Sequence, residues 1–482
     1  MLQVTFQLKR AAYPNYVAKM KLIALYLLLL SFVCNDWETL PKTEVIQPNF
    51  IILFSDDAGY ADFGFQGSTD IRTPNLDKLA QSGIRFTNGY VTASVCSPSR
   101  AGMLTGKYQQ RFGHELNLPG QPDPEVPNSM RGLPLSEKTI ANYLKEEGYV
   151  TGLIGKWHLG LEDQFHPTRR GFDEFFGLRK GSGPYLEGSV DTIENGWEKV
   201  SPDSLTYLTD EFGNRAVDFI NRHQEHPFFL FLSFTAPHTP MQAKPEYLAL
   251  ETDRFATPVR AKNAAMAHSL DENIGKVIEK LNELGLRENT LIVFANDNGG
   301  AMPFNGSLNA PLRGAKGTSL EGGNRVPYLM SWPGTLPEGM VYDSPVSTLD
   351  FLPTFLESAG GKVLEEGMFD GVNLIPYLNG SKESAPHDTL FWKMQWGAAI
   401  RVKEWKLVRT PENEHWLFNL NDDISEAHDL ASTFPEKTGE MRRALELWES
   451  DHPSPIWTID EEWHARTLER YDQSVVDSFI RR

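Results

Sequence analysis

Four largely apolar runs each end abruptly in polar residues, and no other feature constrains the fold of this chain as strongly. Phe50–Phe54 leads into Ser55-Asp56-Asp57, and Val150–Ile154 into Gly155-Lys156-Trp157-His158. Phe228–Phe234 leads into Ala236-Pro237-His238, and Leu291–Ala295 into Asn296-Asp297-Asn298-Gly299-Gly300. An apolar run without polar alternation is the pattern of a strand buried on both faces. Such a strand needs helices on both sides of its sheet. Thr73-Pro74 opens one helix, which carries Leu76, Leu79 and Ala80 and stops at Gly83. Met266, Leu270, Ile274, Val277, Ile278, Leu281 and Leu284 mark a longer one, stopped by Gly285. Strands therefore alternate with helices from Asn49 to Gly360, the signature of an α/β layer architecture. In open α/β sheets ligands bind beyond the carboxyl ends of the strands, so the four polar groups are expected to converge.

The pattern changes after Gly371. Leu390–Lys393, Ala398–Val402, Lys406–Arg409 and Trp416–Leu420 read as short strands without helices between them, followed by a helix around Met441–Trp448. We divide the chain into an N-terminal segment at 1–44, a catalytic domain at 45–370 and a C-terminal α+β subdomain at 371–482. Gly113–Pro134 and Arg179–Val200 are the most loop-like stretches. At the start, Met20-Lys21 precedes an apolar run from Leu22 to Cys34. That run is shorter than the about 20 residues a membrane span requires. It has the form of an export signal starting at Met20, with lipid attachment at Cys34 as the lesser alternative. The expected protein is periplasmic or secreted, with no transmembrane segment in the mature chain.

A net charge of −18 repels a phosphate backbone and argues against a nucleic-acid partner. Two cysteines in unlike contexts, Cys34 and Cys96, do not make a disulfide scaffold. Asp56, Asp57, Asp297 and Asn298 offer only oxygen donors, which suit a hard cation; taken singly, they are equally good turn residues. Pro98 fits the first turn of a helix, which puts Cys96 at a helix N-terminus where an anion or an ionised nucleophile is favoured. A core cysteine beside a helix start is the alternative.

Cys96-Ser97-Pro98-Ser99-Arg100 and the following Ala-Gly-Met-Leu-Thr-Gly resemble the signature of the type I, formylglycine-dependent sulfatases of the alkaline phosphatase superfamily. Thr-Pro-Asn-Leu-Asp at 73–77, Gly-Lys-Trp-His-Leu-Gly at 155–160, Gly-Phe-Asp at 171–173, Ala-Pro-His-Thr-Pro at 236–240 and Asp-Asn-Gly-Gly at 297–300 carry the same resemblance. So does Lys316 ahead of Glu321-Gly322-Gly323-Asn324-Arg325-Val326-Pro327. The resemblance implies a large mixed-sheet domain sandwiched by helices, with a small C-terminal antiparallel sheet carrying a helix. It also implies that a maturation enzyme oxidises Cys96 to formylglycine (3-oxoalanine). Calcium would then be held by Asp56, Asp57, Asp297, Asn298 and the modified Cys96. Arg100 would hold the hydrated aldehyde and the carboxylates, and Lys156 and Lys316 the sulfate oxygens. His158 would move protons of the diol, and His238 would act at the bridging oxygen as general acid.

The stretch at 106–117 is similar to exported bacterial sulfatases that act on sulfated glycans, which makes a carbohydrate sulfate the expected substrate. His114, Glu115, Asn117, Arg179 and Tyr185 are the expected rim residues contacting the sugar. Two alternatives belong to other classes: a phosphodiesterase or phosphonate hydrolase of the same superfamily, and a non-catalytic sulfoglycan-binding relative.

Overall fold

Side chains of the strand Asn49–Ser55 point alternately into two cores, Phe50, Ile52 and Phe54 into one and Ile51 and Leu53 into the other. All five are fully buried, so the run lacks the polar alternation of a half-exposed strand. The computed structural model describes residues 47–119, 125–362, 367–395, 397–458 and 461–472. The expected export signal, and Cys34 with it, lies outside the described residues.

Asn49–Ser55 lies at the centre of a ten-stranded mixed sheet among those residues. The spatial order is Met340–Tyr342, Ile84–Phe86, Tyr328–Ser331, Thr290–Asn296, Asn49–Ser55, Phe228–Ser233, Val150–Lys156, Glu174–Leu178, Glu194–Asn195 and Glu198–Lys199. The five strands from Thr290–Asn296 to Glu174–Leu178 are mutually parallel. Tyr328–Ser331 runs antiparallel to both of its neighbours. Register then does the positioning: Ser55 pairs with Asn296, and Phe54 and Gly155 both pair with Ser233. Asp56, Lys156 and Asp297 therefore leave the sheet at one edge.

On one face of the sheet pack the helices Cys96–Thr105, Ile140–Glu146 and Phe351–Ser358. The other face carries Pro74–Gln81, Leu208–Arg222 and Pro258–Glu283. The last of these begins well before Met266, where its large apolar residues start. Pro258 follows the cap Thr257, whose hydroxyl accepts from Arg260 N at 3.4 Å. Its first turns bury Ala261, Ala264 and Ala265, small side chains that give a weak apolar signal.

The C-terminal strands Thr389–Met394, Gly397–Val402, Trp405–Arg409 and His415–Asn419 form an antiparallel meander. Met441 and Leu445 of the helix Pro435–Ser450 cover one of its faces. The other face shares a core with Tyr90 and Leu320, so from Gln47 on the described residues form one compact unit. No described helix is long and apolar enough to cross a membrane. Of the two loop stretches, 113–134 contains a 3₁₀ turn at Asn128–Met130, and 179–200 supplies the last two strands of the sheet edge.

Candidate active site

The helix Cys96–Thr105 is buried along its whole length. Its residue Val95 caps nothing through a side chain; Asn117 Oδ1 instead accepts from Ser97 N at 2.9 Å. That bond satisfies one of the donors every helix start leaves open. Cys96 and Arg100 are four residues apart and share a face. Arg100 donates through Nε and Nη2 to Asp297 Oδ2 at 3.1 and 3.0 Å, and through Nη1 to Ser233 Oγ at 2.6 Å and Lys156 O at 3.1 Å. One guanidinium thus ties together the ends of three strands.

Three carboxylates and three cations meet beyond those ends. Lys156 Nζ lies 2.7 Å from Asp56 Oδ2 and 3.8 Å from Asp297, with all three side chains fully buried. Lys316 Nζ donates to Asp57 Oδ1 at 2.6 Å and reaches Cys96 Sγ at 3.1 Å. Asn298 Nδ2 donates to the same Asp57 oxygen at 2.8 Å, while its buried Oδ1 has no hydrogen-bond partner among the described residues. His238 Nε2 stands 3.4 Å from Asp57 Oδ2, and its Nδ1 is 2.6 Å from Thr239 O, which fixes Nδ1 as the protonated nitrogen of the neutral ring.

The electrostatics follow from this crowding. Burial and the adjacent Asp297 push Asp56 up to about 8, against Lys156 and Arg100. Burial acts on Asp57 too, yet Lys316 and His238 hold it below the usual carboxylate range. Asp297 is likewise held down, Arg100 and Lys156 outweighing its burial. Burial and Asp297 push the Cys96 thiol up to about 12. At the helix start, burial among carboxylates thus opposes the pull of the helix terminus toward an anion or an ionised nucleophile. Burial lowers His238 to about 4, opposed by Asp57 and aided by Lys316. Burial and then Lys156 and Arg100 hold His158 far below its ordinary value, so both imidazoles are neutral in the free pocket.

His158 sits in left-handed backbone at φ 60°, with its N–H on Arg179 O and its carbonyl accepting from Ser97 Oγ at 2.7 Å. A Cβ on Gly181 would come within 2.6 Å of the His158 ring, so only glycine lets the following loop pass.

Cys96, Arg100, Lys156, His158, His238, Lys316, Asp56, Asp57, Asp297 and Asn298 are thus brought to one place. Metal-capable atoms group most tightly as Asp56, Asp57, Cys96 and His238, all within 4.8 Å of one another. Asp297 is turned to Arg100, and His238 stands nearer the group than its sequence context implied. The rim residues fare differently. His114 is fully buried behind the helix, its Nε2 2.7 Å from Ser97 Oγ and its ring edge-on to Trp457. The start of the loop packs against the helix, His114 through Ser97 Oγ and Asn117 through Ser97 N. Glu115 is buried against Lys393 at 3.1 Å. Tyr185 is fully buried and donates from its hydroxyl toward Thr235 O and His238 O at 2.6 and 2.9 Å, so it positions His238 and offers no stacking face. Arg179 points to Leu161 O, Asp163 and Glu194, away from the pocket.

Sequence reasoning overlooked Ser233 and Asn305. Ser233 is the one hydroxyl ending a strand of phenylalanines and leucines, a legible signal. Asn305 begins an Asn-Gly-Ser sequon but is fully buried, donating to Asp57 O at 2.8 Å and Pro237 O at 3.3 Å. It braces the backbone on both sides of the pocket.

Comparison with known proteins agrees with this geometry. The Sulfatase family model matches residues 48–361. Human N-acetylgalactosamine-6-sulfatase is 36% identical over 349 residues, covering 69% of this chain and 66% of that one, so this chain spans about two thirds of its length. Arylsulfatase G of Rattus norvegicus is 31% identical over 475 residues, covering 85% of this chain and 87% of that protein. The crystal structure of Ps i-CgsB in complex with k-i-k-neocarrahexaose superposes with a TM-score of 0.81 at 36% identity, covering 90% of this chain and 99% of the other. A phosphonate monoester hydrolase of Agrobacterium radiobacter shares the fold at 20% identity, with a TM-score of 0.62. A family match that contains every pocket residue, together with relatives above 30% identity over most of the chain, settles membership: this chain belongs to the sulfatase family, whose named members are sulfuric ester hydrolases.

Proposed function

We propose that the protein hydrolyses a sulfate monoester carried on a carbohydrate, through Cys96 oxidised to formylglycine and a calcium ion. The observation that carries this reading is one buried pocket in which Cys96 faces Lys316, Asp56 and Asp57, with Arg100 and Lys156 behind. A thiol held protonated at about 12 is a poor nucleophile, which favours a modified side chain at that position.

The residues fit a hard divalent cation. Asp56, Asp57, Asp297 and Asn298 are all oxygen donors, Asn298 Oδ1 is buried without a hydrogen-bond partner among the described residues, and burial, with Asp297 beside it, raises Asp56 to about 8 against Lys156 and Arg100. When bound, the cation and the aldehyde hydrate supply a nucleophilic hydroxyl at position 96.

The chain's own groups do the rest. Three carboxylates are balanced by Arg100, Lys156 and Lys316, so an added dication leaves excess positive charge suited to an anionic ester. Lys316 and Lys156 neutralise charge on the sulfate oxygens from fixed positions, the largest kind of catalytic contribution. Arg100, bound to three strands, keeps Asp297 and the residue-96 face in register. His158, neutral and fixed by its backbone bonds, can accept a proton from the nucleophile. His238 is neutral in the free pocket; an arriving sulfate raises its proton affinity, which readies Nε2 to protonate the leaving alcohol.

A glycan substrate is favoured because one relative is named for N-acetylgalactosamine-6-sulfate chemistry and one structural neighbour holds an oligosaccharide. Export and a maturation enzyme as partner belong to the same reading. Mass spectrometry of the Cys96 peptide, with turnover of nitrophenyl sulfate and phosphate esters, tests it. The expected result is the thiol-to-aldehyde mass loss and sulfate preference. A fully active protein with intact cysteine removes the mechanism; preference for phosphate diesters moves the chain to the phosphonate-hydrolase reading.

A further inference from the structure

We propose that Arg470 and Phe304 form a second subsite beside the sulfate pocket, which binds a further anionic group, sulfate or uronate carboxylate, on the neighbouring sugar of the substrate. The proposal rests on the sulfatase reading above and names what its substrate must carry.

Phe304 is 54% exposed, unlike almost every other large apolar residue near the pocket. Its backbone is anchored on both sides. Its N–H donates to Ala301 O at 2.9 Å, and the next residue, Asn305, is bonded to the backbone of Asp57 and Pro237. The backbone that carries the ring is therefore tied to the segments bearing Asp57 and His238. A solvent-facing aromatic ring is a stacking surface for a sugar.

Arg470 approaches from the far end of the chain. Its guanidinium lies 5.5 Å from the centre of the Phe304 ring, and Nη1 donates to the carbonyl of Lys316, whose own Nζ lies in the sulfate pocket. A Cβ on Gly317, at φ 91°, would lie 3.2 Å from Arg470 Nη1 and 3.3 Å from the Trp463 ring. The absence of a side chain at Gly317 admits the arginine. The neighbouring Tyr471 is buried, its hydroxyl accepting from Ser319 N at 2.8 Å and its carbonyl accepting from Arg313 at 2.9 Å. The arginine end of the contact is thus anchored to the loop that carries Lys316.

Among the described residues no carboxylate lies within ion-pair distance of Arg470, although the charge of Asp57 acts on it. Guanidinium offers a planar, bidentate match to sulfate or carboxylate. Arg470 binds the carbonyl of the residue whose Nζ enters the sulfate pocket, and the charge of Asp57 acts on it, so an anion on Arg470 is a near neighbour of one on Lys316.

The test measures binding of three disaccharides to the full chain by calorimetry. One carries a single ring sulfate, one a sulfate on each ring, and one a sulfated ring joined to a uronate. Wild type is expected to bind at least one doubly anionic probe about tenfold more tightly than the singly sulfated one, and the tighter of the two identifies the second anion. Arg470→Gln brings that ratio near one, and Arg470→Lys keeps part of it. Arg442→Gln makes the same charge change on an exposed helix and keeps all of it. Phe304→Ala weakens all three probes by a similar factor, since stacking does not read charge. Equal binding of the probes by wild type, or an unchanged ratio in Arg470→Gln, overturns the subsite. Turnover of nitrophenyl sulfate by aldehyde-bearing wild type is read separately: its loss removes the sulfatase reading while the binding ratio is still measured.

Discussion

Two of the buried charge clusters among the described residues differ in how their charged groups are held. Around Asp56, Asp57 and Asp297 a buried acceptor, Asn298 Oδ1, stays open, and Asp56 is pushed up to about 8. The second cluster lies between the large sheet and the C-terminal meander. There Glu321 Oε1 is 2.8 Å from Lys406 Nζ, and Oε2 accepts from Tyr90 Oη at 2.7 Å and Arg325 at 3.3 Å. Glu426 accepts from Glu321 N at 2.7 Å and pairs with Lys406 at 3.0 Å, and Arg401 binds the Tyr90 hydroxyl. Both clusters are fully desolvated, so burial of charge does not by itself mark a site. In the first, ligand atoms of Asp56, Asp57, Cys96 and His238 lie within 4.8 Å of one another. In the second, Glu426 Oε1 also lacks a hydrogen bond among the described residues, but it is ion-paired to Lys406, and each charged group is held by another element of the fold, which makes it a joint.

The sharpest break in this comparison comes from Cys96→Ala. Turnover of nitrophenyl sulfate is expected to vanish, with the thermal midpoint within a few degrees of wild type; retained turnover contradicts the role given to residue 96. In the joint the effects reverse. Lys406→Met leaves Glu321 and Glu426 buried without their shared cation and is expected to cost about 3–5 kcal/mol in denaturant unfolding, with the folded fraction keeping its specific activity. A large activity loss there would merge the two clusters into one functional unit.

Calcium removal separates them further. At a hundred times its Kd, calcium is expected to stabilise the protein by about 2.7 kcal/mol, seen as a rise in Tm over chelated protein. Asn298→Ala shrinks that increment, and Lys406→Met does not. The smallest effect concerns pH. Burial raises Glu426 to about 7, against Lys406 and with Glu321 adding to the rise, whereas Lys406 and the arginines hold Glu321 down to about 2 despite its burial. A raised acid binds its proton more tightly in the folded state, so its contribution falls as pH rises from about 4.5 towards 7. Glu321 contributes in the opposite sense but only at lower pH. The slope of unfolding free energy between pH 5 and 7 should carry a declining component of at most about 1.4 kcal/mol per pH unit, which Glu426→Gln removes. An identical slope in that variant contradicts the assignment.

The sequence by itself determined the layer architecture and which polar residues gather at one edge of the sheet, because both follow from local rules. An apolar run buried on two faces has no polar alternation, and parallel strands deliver whatever follows them to one edge of the sheet. Asp56, Lys156, His238 and Asp297 were legible for that reason. Cys96 was legible as the start of a helix opened by Pro98, and Arg100 only through the resemblance of that stretch to the sulfatase signature. Only the tertiary structure decided which way the loop residues face. His114 and Tyr185 have the chemistry of sugar-binding residues, yet one lies under the nucleophile helix and the other braces His238. Lys316 and Glu321 sit five positions apart in one motif and go to different clusters, 316 to the pocket and 321 to the joint. Arg470 meets Lys316 from 154 residues away. Loops carry no periodicity, and contacts between distant segments depend on how sheet and meander pack, which no local pattern encodes.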